Sequence, residues 1–296
     1  MKMKSKLKPW IFILPTLILI GFWLIKPLVQ TLAYTLYDWN MLPGTSPVYV
    51  GLQNFVELFQ APDFLSAVQN TFYYIVMMIP FSVILPLIIA ALIQNLKPRL
   101  QRIYRILLFF PMIMPPVATA QVFQWLLHQT NGLVNHVLLT VGLIDNGINF
   151  FQSAEWAKLI IALITGWKMV GFASLMFSSA MSNINPEYYE ASELDGSSGF
   201  RRFWDITIPL VSPTIMLMLM MSILFASQWT FTYIDILTQG GPYGTSTNIY
   251  YFIYQYAFSN SNVGVSAAAA LVFLVIFGAL ALILQAISKK LSFYDN

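Results

Sequence analysis

Six stretches of this chain are long and apolar enough to cross a bilayer, and that decides what it can fold into. Spanning a hydrocarbon core of about 30 Å takes about 20 mostly apolar residues as a helix, because no water is there to satisfy an unpaired N–H or C=O. The stretches run over about residues 10–36, 67–93, 103–127, 157–180, 208–229 and 265–287. A barrel strand would alternate apolar and polar residues over about ten positions, and AAAALVFLVIFGALALIL, Ala267 to Leu284, does not alternate. The expected fold is an all-α integral membrane protein of six transmembrane helices in one domain over residues 1–296. The first stretch is interrupted by Lys26 and Pro27, and the third runs through FFPMIMPPV, Phe109 to Val117.

Composition fits lipid as the main solvent: 58% of residues are hydrophobic and 9% charged, against roughly 25% charged in a soluble domain. With no cysteine, disulfide frameworks and thiol chemistry are excluded, and a net charge of +3 is too small to argue for a nucleic-acid partner. The position of the charges is more telling. Lys2, Lys4, Lys6 and Lys8 precede the first stretch; Lys97, Arg99, Arg102 and Arg105 lie between the second and third; Arg201 and Arg202 between the fourth and fifth; Lys289 and Lys290 follow the sixth. The opposite loops, about 37–66, 128–156 and 230–264, hold no Lys or Arg but carry Asp38, Glu57, Asp63, Asp145, Glu155 and Asp235. Basic residues in short loops stay on the cytoplasmic side. Both termini are therefore expected in the cytoplasm of a multi-pass protein of the inner (plasma) membrane, with the first stretch retained rather than cleaved as a signal. In the first outer loop, Leu52, Phe55, Val56 and Phe59 have helical spacing and predict a short helix along the outer surface.

The cytoplasmic segment NINPEYYEASELDGSSGFRRFWDITIPLVSPT, with its core at residues 185–207, is the long polar one. Asn185 is a good N-cap, Pro186 fits the first helical position and Glu187 complements the positive helix end. Gly196 stands where a left-handed residue closes a helix. A short rigid helix is expected, then an amphipathic stretch, GFRRFWDI, with Phe200, Phe203 and Trp204 toward the membrane and Arg201 and Arg202 toward water or lipid phosphates.

The spacing of this segment carries a resemblance. Glu190-Ala191-Ser192, then Asp195-Gly196, then Ile206-Thr207-Ile208-Pro209 is similar to the EAA motif of the membrane subunits of binding-protein-dependent ABC importers, with Ser for the second Ala and Ile for the Leu before proline. VGLQNF from Val50, Asn70-Thr71, RILLFFPMIMPP, TNGLVNHVL, Trp167-Lys168, LTQGGP and YQYAF follow in the order of the carbohydrate branch, resembling maltose-type and glycerol-phosphate-type permeases. The resemblance implies the type I importer permease fold, with the EAA loop as a coupling helix docked in a groove of a separate ATPase. Tyr188, Glu190, Ala191, Ser192, Leu194, Asp195 and Gly196 would make that contact. Tyr188, Ala191 and Leu194 recur every three residues and can present an apolar strip to a groove. The chain has no G-x-x-x-x-G-K-[ST], the usual phosphate cradle, so ATP and Mg²⁺ belong to the partner and no cofactor to this chain. Further implied partners are a second homologous permease forming a heterodimer, an ATP-binding subunit dimer and an extracytoplasmic substrate-binding protein, with membrane lipid around them.

A gap-free carry-over from the maltose-type permeases puts Met112, Thr165, Lys168, Phe172, Ser227 and Trp229 on sugar-contacting positions. Aromatic faces with a few hydrogen-bonding groups suit sugar rings, while Phe172 and Trp229 also read as packing or interface residues. Lys26 reads as snorkelling to the interface. Lys168, in mid-span, either pairs with a carboxylate or helix carbonyls or lines the pathway. A secondary transporter would call for intramembrane carboxylates, and none of the twelve Asp and Glu falls within a predicted span. An intramembrane enzyme would call for paired acids or histidines on helices, and His128 and His136 lie in an outer loop. The expected function is ATP-driven import of a sugar, oligosaccharide or related polyol, with a glycerol-phosphate-type substrate as the alternative.

Overall fold

The computed structural model describes residues 3–291, and side chains for residues 12–289. Lys2 lies outside the described residues, as do the side chains of Lys4, Lys6, Lys8 and Lys290. Five helices among the described residues are long and apolar enough to cross a membrane: Phe12–Tyr34, Pro62–Gln94, Ala154–Ser182, Ser212–Thr238 and Val263–Lys289. A sixth span is made if the helix pair Pro98–Ile113 and Pro116–Leu126, bent by 91°, counts as one. The all-helical membrane fold expected from the sequence is therefore found, with five or six spans. We call these spans one to six in chain order, the bent pair being span three.

Prolines decide where the spans loosen. A proline inside a helix has no N–H to give, and its ring strikes the carbonyl four residues back. Before Pro27, Pro86 and Pro209 the chain answers in the same way: the preceding residue donates its N–H to the carbonyl five residues back, Lys26 to Gly21, Leu85 to Pro80 and Ile208 to Phe203. Each place is a single π-helical turn, which widens the helix by one residue and lets it continue. Pro115-Pro116 is too disruptive for that repair. Met114 and Pro115 are extended, with ψ of 129° and 133°, and a new helix starts at Pro116. This corrects the expectation of one helix over 103–127. Span five is also corrected: Ile208–Leu210 is a separate turn, and the span itself begins at Ser212 and runs past Trp229 to Thr238.

The chain divides into two units, Met1–Phe64 with Phe252–Val275, and Leu65–Tyr251 with Ile276–Asn296. In the first, span one is followed by a two-residue antiparallel ribbon, Tyr37 opposite Tyr49 and Asp38 opposite Val48. The short helix expected in the loop after span one is present as Gln53–Gln60. It buries Asn54 and Leu58 and leaves Leu52, Val56 and Phe59, the face picked out from the sequence, uncovered. Asn54 donates to the carbonyls of Thr35 (2.9 Å) and Tyr37 (3.1 Å), fixing the turn after span one.

In the second unit span four is central, with two thirds of its apolar window buried. Met169, Ala173, Phe177 and Met181 pack against Val83, Leu87 and Ala90 of span two and Met218 of span five. Between membrane helices water supplies no hydrophobic drive, so association depends on close fit through small residues. Span four supplies them at Gly166, against the Phe81 ring, and Gly171, against the backbone of Leu108 and Phe109 in span three.

A Cβ at Gly171 would run into the Leu108 carbonyl, whereas one at Gly278 in span six meets open space. Gly171→Ala is expected to destabilise the folded protein by about 1–3 kcal/mol, the usual cost of overpacking, and Gly278→Ala to leave it unchanged or slightly more stable. Thermal unfolding in mild detergent reads the difference; equal midpoints for the two variants would show that this crossing is not tight.

Candidate functional site: a cavity at a broken span and a capped hairpin

The break in span three leaves backbone groups without helical partners deep in an apolar bundle. Met114 and Pro115 are extended, so no N–H four residues on is aligned with the Met114 carbonyl, which needs a donor from elsewhere. Lys168 Nζ supplies it at 2.6 Å, and the lysine is 4% exposed. Of the two readings open for this residue, the structure favours pairing with helix carbonyls while still placing it on a cavity wall. On the far side of the break, Thr119 donates both its N–H (3.0 Å) and its hydroxyl (3.1 Å) to the Pro115 carbonyl.

Beside this bond is a cavity of about 380 Å³ whose walls include Met112, Lys168, Gln228, Trp229, Thr232 and Tyr233. Three of the six positions singled out from the sequence, Met112, Lys168 and Trp229, thus meet in one space. The others do not line it. Thr165 is fully buried with its hydroxyl donated to the Ile161 carbonyl at 2.8 Å. Ser227 is fully buried and its carbonyl accepts from Asn248 Nδ2 at 2.7 Å. Phe172 packs edge-on against Phe225, which stacks on Trp229 at 4.1 Å. Sequence reasoning missed Gln228, Thr232 and Tyr233. The signal was there: 228/232 and 229/233 are i,i+4 pairs, so a polar pair and an aromatic pair share adjoining faces of span five.

The other lysines near the spans have plainer roles. Lys26 is exposed and lies over the Phe22 ring at 4.8 Å, and Lys158 donates to Asn70 Oδ1 at 3.2 Å while covering Tyr73. Asn70 in turn donates to the carbonyls of Gly244 and Thr247, and the Thr71 hydroxyl accepts the Ile249 N–H. The Asn-Thr pair therefore pins the loop that carries Gly240 to Pro242.

The polar hairpin forms as expected. A helix runs over Pro186–Leu194, with Asn185 Oδ1 accepting the Glu187 N–H at 3.1 Å. It closes at Gly196, φ +71°, where Gly196 N–H reaches the Glu193 carbonyl and Ser197 N–H the Ser192 carbonyl. Ser198 caps the next short helix, Gly199–Arg202. Two braces hold the helix to the chain leading into span five: the hydroxyls of Tyr189 and Thr207 at 2.9 Å, and Arg202 to Glu193 at 3.5 Å. Tyr188, Glu190, Ala191, Leu194 and Asp195 face outward, Leu194 at 91% exposure. Ser192 is half-buried and bonds back to the Tyr189 carbonyl. Behind the hairpin Gln94 of span two donates to the Ser178 carbonyl and Ser182 hydroxyl of span four, both at 2.9 Å. Among the described residues there is no cluster of three or more His, Cys, Asp or Glu able to hold a metal.

Residues 88–292 match the family described as binding-protein-dependent transport system inner membrane component. Over 247 residues, 83% of this chain and 81% of the relative, the sequence is 30% identical to the lactose transport system permease protein LacF of Rhizobium radiobacter. Over 252 residues, 85% and 84%, it is 29% identical to the sn-glycerol-3-phosphate transport system permease protein UgpA of Pectobacterium atrosepticum. The fold superposes with a TM-score of 0.87 on a chain of a bacterial ABC transporter involved in the import of the acidic polysaccharide alginate, at 24% identity and covering 99% of this chain and 100% of the other.

Lys168→Met removes the donor but keeps an unbranched apolar stem, so the Met114 carbonyl is left unpaired at a cost of about 1–3 kcal/mol. The expected result is a lower unfolding temperature for Lys168→Met, partly restored by Lys168→Arg; a Lys168→Met protein as stable as the original would show that the lysine does not hold the break.

Proposed function

The chain belongs to the binding-protein-dependent transport system inner membrane components, and we propose that it forms half of the translocation pathway for a sugar, oligosaccharide or related polyol. It is a multi-pass inner-membrane permease subunit of an ABC importer, a transport component rather than an enzyme. The proposal treats residues 1–296 as a single permease domain with both termini in the cytoplasm, supported by the one-sided distribution of basic residues. The other half of the pathway is a second permease of the same family, giving a heterodimer. Two copies of a separate ATPase bind the ATP and Mg²⁺, and the soluble binding protein delivers substrate to the outer loops.

The observation that carries the coupling role is the Pro186–Leu194 helix. Capped at both ends by Asn185 and Gly196, it can transmit force without unwinding. Its exposed Tyr188, Ala191 and Leu194 offer an apolar strip to a groove on the ATPase, flanked by Glu190 and Asp195. Ser192, turned inward, stiffens the helix. The Tyr189–Thr207 and Glu193–Arg202 braces pass a displacement of this helix on to the start of span five, whose far end lines the cavity. Gln228, Thr232, Trp229 and Lys168 there combine hydrogen-bonding groups with an aromatic face, as a sugar requires. Thr165, Ser227 and Phe172 act from behind, by holding the cavity's walls. A glycerol phosphate substrate is the second reading, favoured by the Lys168 ammonium on the cavity wall and by the relative named for that substrate.

A residue with a side chain at Gly196 must adopt a left-handed conformation costing about 1–2 kcal/mol, which shifts the end of the coupling helix. Gly196→Val is expected to lower substrate uptake several-fold in the reconstituted complex while ATP hydrolysis persists; unchanged uptake would sink the coupling role. In the same preparation, lactose, maltodextrins and other oligosaccharides are expected to compete for uptake. Competition by phosphorylated polyols alone would replace the first reading with the second.

A further inference from the structure

Four cations lie within nine residues at Lys97, Arg99, Arg102 and Arg105. The helix begins at Pro98, so the three arginines stand on span three itself rather than in a loop. The ion pairs among the described residues join Arg201 to Asp205 and Arg202 to Glu193, and no carboxylate lies within 4.0 Å of these four. Arg102 and Arg105, three residues apart on one helix face, line a groove of about 410 Å³. Pro98 and Gln101, whose amide is already donated to the Gln94 and Leu96 carbonyls, complete the near end, and the remaining walls are apolar: Ile106 and Phe109 one turn further into the membrane, and Leu175 of span four. Arg105 Nε is shielded from solvent and has no hydrogen-bond partner among the described residues. A shielded guanidinium donor left unpaired is costly, and the acceptor it fits best is a planar or tetrahedral oxyanion. The surrounding surface is built for hydrocarbon, with Ile103, Leu107 and Phe110 each more than half exposed.

From this juxtaposition we propose that Arg102 and Arg105 hold the phosphate of an anionic phospholipid of the cytoplasmic leaflet, with an acyl chain along Ile106, Phe109 and Leu175. A single molecule then satisfies both halves of the groove: oxygens for the arginines and a tail for the apolar wall. A free phosphate would leave that wall uncovered. The side of the membrane agrees, since the basic residues of the sequence assign this end of span three to the cytoplasm. Juxtamembrane arginines between helices attract anionic headgroups.

The test purifies this chain, with the subunits that accompany it, from its own membrane in mild detergent and quantifies retained phosphatidylglycerol and cardiolipin by mass spectrometry. About 1 kcal/mol per basic residue near the surface corresponds to about fivefold per arginine. Arg102→Gln/Arg105→Gln is therefore expected to lose most of the retained anionic lipid, while Lys97→Gln/Arg99→Gln loses little. Equal losses from the two double variants would overturn the site in favour of diffuse surface charge, and full retention in Arg102→Gln/Arg105→Gln would overturn it outright. A second measurement needs no variant: native mass spectrometry of the unaltered complex titrated with phosphatidylglycerol or phosphatidylcholine should show at least about fivefold preference for the anionic lipid. Equal binding of the two lipids, or displacement of phosphatidylglycerol by millimolar inorganic phosphate, would overturn the lipid assignment.

Discussion

A carbonyl oxygen freed by two prolines in the middle of an apolar bundle has to find a donor, and in this protein it finds Lys168. That bond joins the two costs a membrane protein must most avoid, an unpaired backbone group and an unpaired charge. The lysine would be expensive without the carbonyl, and the carbonyl without the lysine. Together they stabilise a 91° break in span three, and the break opens the cavity against span five. Where one proline stands alone, as at Pro27, Pro86 and Pro209, a π turn suffices and no side chain is recruited.

The same rule explains most of the conspicuous polar residues outside the hairpin. Asn54 satisfies the carbonyls of Thr35 and Tyr37, Asn70 those of Gly244 and Thr247, and Asn135 those of His128 and Ile148. Asn248 donates to the Ser227 carbonyl and the Thr230 hydroxyl. Asn54, Asn70 and Asn135 each satisfy carbonyls of a turn between spans that the turn cannot pair for itself, whereas Asn248 ties its own loop to the helix of span five. Residues that look like binding groups in sequence therefore prove to be anchors of the scaffold. The proposed contacts are left to the cavity wall around Lys168 and Gln228, the exposed face of the Pro186–Leu194 helix and the groove at Arg102 and Arg105.

The polar hairpin follows a different logic, because water can satisfy its backbone. Its stiffness comes from caps, with Asn185, Gly196 and Ser198 closing the helix ends. Its attachment comes from one hydroxyl pair and one ion pair that is more than half exposed on the Glu193 side. An exposed ion pair is worth little in stability, so the Tyr189–Thr207 contact and the covalent path through Arg202 to Thr207 carry most of the mechanical connection.

The hairpin was legible residue by residue, because capping depends on neighbours within five positions and its N-cap, proline, left-handed glycine and outward strip all fell where spacing placed them. That there are membrane-spanning helices was legible too from apolar length, but not the break in span three or the start of span five at Ser212. Tertiary structure decided the rest. A proline's effect depends on whether a donor happens to lie opposite, which is why the break at Met114 could not be told from the repaired turns elsewhere. Which face of span five meets the cavity depends on the rotation of the helix against spans three and four, which admitted Gln228, Thr232 and Tyr233 and turned Thr165 and Ser227 into the packing. The sequence by itself determined the membrane, the apolar stretches suited to cross it and the capped polar hairpin, because those follow from transfer energy and local backbone geometry. Only the fold decided what lines the cavity, because that depends on contacts between residues far apart in the chain.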